Sequence, residues 1–118
     1  MSANVWPWPA ELDAMVAAPD FHFVLYEDER VRVLDGRVSP GATVPVHTHC
    51  WGGVLYIQAS SDFIRRDPEG HVLADTRTLG APREGAAVWG APLTPHSLEN
   101  IGPNEFRTIT VEMKTAEV

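Results

Sequence analysis

The chain has 118 residues, enough for one domain with a single core and few enough that pairing with a second copy would add useful burial. Nine Lys and Arg stand against 16 Asp and Glu, a formal charge of −7 that argues against a nucleic-acid or anionic-membrane partner. The one cysteine, Cys50, excludes an internal disulfide and fits a reducing compartment; with no secretory pattern and no apolar run of membrane-spanning length, the expected location is cytoplasmic.

The chain opens on Val5-Trp6-Pro7-Trp8-Pro9, whose prolines block a regular helix. Two Trp in such an arm are expected to dock on the barrel or on a partner subunit. Ala10 to Ala18 has helix-forming composition, with Leu12, Met15 and Val16 at helical spacing, and Pro19 stops it. Phe21 to Tyr26 reads as a strand and Glu27-Asp28-Glu29 as a charged turn. His22 lies on that strand without a partner motif, so a surface or packing role is expected for it.

Arg30 to Val38 alternates as a strand, and Ser39-Pro40-Gly41 is turn chemistry. The next strand, rich in β-branched residues, carries His47 and His49; Pro45 within it suits only a strand start or a sheet edge. A strand repeats every two residues, so the two imidazoles point to one face. Gly53 to Ala59 is the most strand-like run. Asp62 to Arg66 and His71 to Thr76 flank Asp67-Pro68-Glu69-Gly70, a hairpin turn that leaves His71 in solvent.

Leu79 to Glu84 reads as a loop and Ala86 to Trp89 as a short strand, after which Pro92-Leu-Thr-Pro95 delivers His96. Asn100 to Asn104 is a turn and Phe106 to Met113 a last long strand. Many short strands separated by turn residues, with one short helix, predict an all-β barrel or sandwich in a single domain: 1–19 an arm and short helix, 20–118 the barrel.

Two spacings resemble those of the cupin family. Gly41-x5-His47-x-His49 matches the opening of the first cupin motif, and Gly85-x10-His96-x3-Asn100 matches the skeleton of the second. The chain resembles a small single-domain cupin, and its local wording is also similar to small bacterial cupins associated with β-alanine degradation. The resemblance implies a double-stranded β-helix, or jelly-roll barrel. It also implies one divalent transition-metal ion (Fe, Ni, Zn or Mn) held by His47, His49 and His96. The family's Glu ligand falls at position 53 or 54, occupied here by Gly53 and Val54. Ser60 and Ser61 stand where the first motif closes on Gly, and Ala91 and Leu93 where the second has Pro and Gly.

Three neutral imidazoles leave a divalent ion its full charge, which favours a small anionic metabolite in the open position. A metal-dependent, dioxygenase-like oxidoreductase is one expectation; a non-catalytic binding or sensing module with a structural ion or none is the other. Gly52 and Gly53 either make room for substrate beside the ion or mark a bulge in the strand. Trp51, Gly53, Tyr56 and Trp89 are candidate pocket residues, although aromatic residues on strands also pack cores. Arg107 shares a face with Ile109, Val111 and Met113, and if that face is interior it needs a partner such as a substrate carboxylate. Cys50 sits near the position of the missing Glu, as in thiol dioxygenases, but falls short of it and is assigned to packing. Asn100 is expected to hold the loop around His96. A homodimer, with the Trp6 and Trp8 arm covering a sheet edge or packing on the neighbour, is the expected assembly.

Overall fold

A computed structural model of the chain describes residues 6–114, so Val5 of the arm lies outside the described residues. Beyond Pro9 come a 3₁₀ turn, Ala10–Leu12, and a single-turn helix α1, Ala14–Ala17. Asp13 separates them and caps α1, its carboxylate accepting from the Met15 amide at 3.0 Å. The helix is therefore shorter than the composition of 10–18 predicts. The residues it buries also differ: Ala14 and Ala18 are buried, whereas Val16 faces solvent. Small side chains let this segment lie close to the sheet, and Asp13 forms a parallel bridge with Thr48. Asp13 thus covers part of a sheet edge. The two Trp rings pack edge-on against each other at 4.9 Å.

The strands are β1 (His22–Glu27), β2 (Val31–Val38), β3 (Thr43–His49), β4 (Gly53–Ala59), β5 (Phe63–Arg66), β6 (Val72–Asp75), β7 (Ala87–Gly90), β8 (Leu93–Asn100) and β9 (Phe106–Met113). Another single-turn helix, α2 (Thr76–Leu79), follows β6, capped by the Asp75 side chain; no sequence signal predicted it. The strands make two antiparallel sheets, β1-β2-β9-β4-β7 and β3-β8-β5-β6. Pro45 lies on β3, an edge strand, where its lack of an N–H is tolerated.

The inner faces of both sheets enclose a cavity of about 390 Å³. In the core, Ala18, Val38 and Val44 pack with Phe21, Leu98 and Phe106. On β9 the cavity side carries Phe106, Thr108, Thr110 and Glu112, so Arg107, Ile109, Val111 and Met113 occupy the other face. Arg107 is accordingly outside the cavity and binds Asp35 through Nε and Nη2 at 3.0 and 2.9 Å. Strand alternation places Tyr56 and Trp89 outside in the same way, both substantially exposed, while Leu55, Val88 and Gly90 beside them line the cavity. Trp51 and Gly53 do line it.

Gly53 is where two strands approach each other closely. A Cβ there would lie 1.9 Å from the Val111 carbonyl oxygen, so no side chain fits without moving β9. Position 53, one of the two where the family's Glu would fall, is closed by backbone and not held open for substrate.

Candidate metal centre

His47 and His96 are registered partners on β3 and β8, and their ring centroids are 4.3 Å apart. The pairing is irregular on both sides of His47, with shifts between Val44 and His47 and between His47 and His49. Both strands use one local device. His47 Nδ1–H donates to the Pro45 carbonyl at 2.8 Å, and His96 Nδ1–H donates to the Thr94 carbonyl at 2.7 Å. Each imidazole is thus folded back on the residue two positions earlier.

His22 completes the cluster. Its ring centroid lies 5.0 Å from that of His47 and 5.3 Å from that of His49, and its Nδ1–H donates to the Ala18 carbonyl at 2.9 Å. One ring nitrogen from each of His22, His47 and His49 lies within 4.8 Å of the others. The expectation of a surface or packing role for His22 is therefore replaced: it is only 9% exposed and faces the histidine pair. His96 sits beside this trio, 6.0 Å from His49 by ring centroids. The sequence carried no signal for His22: its registered partner Gly36 is crowded by Thr108 Oγ1, at 3.1 Å from a Cβ placed there, and not by the imidazole, at 3.9 Å.

His49 is held differently, by a carboxylate. Its Nδ1–H donates to Glu112 Oε2 at 2.9 Å; Glu112 Oε1 accepts from Arg32 Nε at 2.7 Å; Arg32 forks onto both oxygens of Asp13 at 3.0 Å. Glu112 is 1% exposed, and with both oxygens engaged it serves as an anchor for the ring. Burial disfavours the Arg32 cation, but the two carboxylates outweigh it and raise its pKa further. Two carboxylates and one guanidinium leave this chain one negative charge behind His49, so an ion among the histidines would not keep its charge wholly uncompensated.

Burial, with the neighbouring His96 and His49, takes His47 down to about 2. Burial likewise takes His22 and His96 down to about 4, against the opposing effect of their carbonyl bonds. All three are neutral at neutral pH. With Nδ1 of all four rings committed as a donor, Nε2 is the nitrogen with a lone pair to offer, and no hydrogen bond among the described residues engages it. Neutral imidazoles with oriented rings are the donor set that first-row transition ions favour.

The other candidates fall into place around this cluster. Arg32 lies over the Trp51 ring at 5.0 Å, so Trp51 packs the carboxylate chain at the cavity wall. Cys50 is half-buried, burial and then Asp13 push its thiol pKa up, and it is not among the cavity-lining residues. Asn100 is fully buried and donates to the carbonyls of Val38 and Asn104 while accepting from Ser61 and Gly102, which fixes the turn after β8. Asp67, Glu69 and His71 also cluster, but in the exposed β5–β6 turn, where Asp67 accepts the Glu69 and His71 amides as turn chemistry.

The architecture is the cupin double-stranded β-helix. A cupin domain from Bordetella pertussis superposes with a TM-score of 0.65 at 22% identity, over 80% of this chain and 92% of that one. An RmlC-like cupin from Methanocaldococcus jannaschii matches at 0.54 and 15% identity, over 96% and 92% of the two chains. A polyketide cyclase from Streptomyces resistomycificus matches at 0.55 and 18% identity, over 97% and 80%. No protein-family model and no curated protein matches the chain. At these identities the likeness is one of fold.

Proposed function

We infer that the protein binds one divalent transition-metal ion through Nε2 of His47, His49 and His22, with His96 beside them as a further ligand. The ion serves a small anionic metabolite that enters the cavity. The observation that carries this reading is the common treatment of four converging imidazoles, each with Nδ1–H donated to a fixed acceptor. Rings fixed in this way are useful to an ion. When bound, such an ion supplies Lewis acidity toward a carboxylate or carbonyl oxygen and, if it is iron, oxygen chemistry. The chain's own residues orient the rings, through Glu112 and the three carbonyls, and exclude water with an apolar wall.

A metal-dependent enzyme is the first reading and a binding or sensing module the second. The second draws support from one feature: the only carboxylate lining the cavity among the described residues, Glu112, is committed to Arg32 and His49, which leaves no free general base. We further place the protein in the cytoplasm as a homodimer. No helix among the described residues is long and apolar enough to cross a membrane. Elemental analysis of protein purified without a histidine tag, followed by turnover assays with and without oxygen, tests the reading. About one equivalent of metal is expected; well under one after reconstitution overturns it, and metal without turnover selects the binding module.

A further inference from the structure

The walls of the cavity carry few charges, and all but one are already matched. Glu112 is bonded to Arg32 and His49, and Arg37 is bonded to Asp35. Arg65 is the exception. It stands on the inward face of β5 beside Phe63, while its neighbour Arg66 points the other way and pairs with Glu99. Among the described residues Arg65 has no carboxylate partner, and its Nε is buried without a hydrogen-bond acceptor. The nearest aromatic face, Phe63, lies 5.9 Å from the guanidinium carbon and offers no acceptor atom.

An unpaired guanidinium turned into an apolar chamber is unfavourable unless something anionic meets it. Burial does push the pKa of Arg65 down, but an arginine remains protonated at any ordinary pH. Its position suits a ligand. Arg65 is the registered partner of Leu98, two residues along β8 from His96, and both Leu98 and His96 line the cavity. Cation and histidine cluster therefore share one wall. Much of the remaining lining is hydrocarbon, including Leu34, Val38, Leu55, Ile57 and Phe106.

We propose that Arg65 is the anion-binding residue of this cavity and that the ligand is a small monocarboxylate with an apolar body. This rests on the reading of the cavity as the ligand site, made above. The planar fork of a guanidinium matches the two oxygens of a carboxylate, giving paired charge-assisted hydrogen bonds. A single arginine with no lysine or second free guanidinium on the lining fits one negative charge better than the two of a phosphate monoester. The volume, about 390 Å³, lies in the range of small-molecule sites, and its hydrocarbon walls suit an aliphatic or aromatic body. Arg107, the sequence candidate for this role, is spent on Asp35 at the outer face; Arg65 has the chemistry that was sought there.

The test is calorimetric titration of the metal-free full-length protein with hexanoate, 3-phenylpropionate, the amides of both acids, and phenyl phosphate. At least one acid is expected to bind at least about tenfold more tightly than its amide, and Arg65→Gln to remove that difference while leaving the amide unchanged. Should Arg65→Gln fail to fold, Arg65→Lys keeps the charge without the fork and is expected to weaken the acid several-fold. Equal affinity of acid and amide, no binding of either acid at millimolar concentration, tighter binding of phenyl phosphate, or unaltered acid binding in a folded variant each overturns the proposal. Metal content, measured separately on the wild type and Arg65→Gln, is expected to be equal in both. A shortage of metal in the wild type overturns the metal reading instead, so the two failures are distinguishable.

Discussion

At the scale of single residues, what distinguishes this site is how each ring is held. His22 joins His47 and His49 because Ala18, just beyond α1, presents a carbonyl to its Nδ1 at 2.9 Å. His22→Ala is expected to lower metal affinity at least about tenfold with little change in fold, read by competition titration against a chelator. Glu112→Gln removes the negative charge behind His49 and half of Arg32's pairing. It is expected to weaken metal about 10- to 100-fold and to cost about 2 kcal/mol in thermal unfolding, since Asp13 still partners Arg32. Gly53 is the opposite kind of residue, required by the backbone alone. Gly53→Ala pushes a carbon against the Val111 carbonyl and is expected to destabilise by about 1–3 kcal/mol or more, so that Gly53→Glu fails to fold before it can act as a ligand. A Gly53→Ala protein with wild-type melting temperature would contradict that.

At the scale of elements, His47, His49 and His96 were legible in the sequence and His22 was not. Two histidines one residue apart on a strand, and a third after Pro95, carry their own spacing signal. His22 is a lone histidine on β1 and becomes visible only when β1 folds beside β2. The sequence left open which face of the last strand is interior. Ile109, Val111 and Met113 look like the interior of an ordinary barrel, but here the inward residues are Thr108, Thr110 and Glu112, because the cavity is partly polar. On that outer face Asp35 is buried between Arg37 and Arg107. The hydrogen bond from Arg107 is the main influence holding its carboxyl at about 2, against 3.8 unfolded. A depressed carboxylate contributes stability that is present above pH 3.8 and lost as pH falls toward 2. Chemical unfolding across that window is expected to show a slope that Asp35→Asn reduces by about one proton; an unaltered slope would place the ion pair's contribution elsewhere.

At the scale of the whole molecule, the five-stranded sheet turns an apolar face outward. Trp89, Val54, Val111 and Val33 follow one another across the register of β7, β4, β9 and β2, and Trp89 is 56% exposed. An exposed apolar row on a small chain fits association with a second copy about a two-fold axis. Light scattering is expected to give a dimer mass, and Trp89→Glu with Tyr56→Glu to give a monomer; a monomeric wild type would count against the assembly. The central claim, though, is that four imidazoles converge on the position proposed for one ion, three of them (His22, His47 and His96) buried and neutral. X-ray absorption on zinc-reconstituted protein tests it most directly, since the first shell reports donor type and distance. Nitrogen scattering from four imidazoles, at about 2.0–2.1 Å and without sulfur, is the result expected. A shell containing sulfur from Cys50, or fewer than three imidazoles, would contradict it.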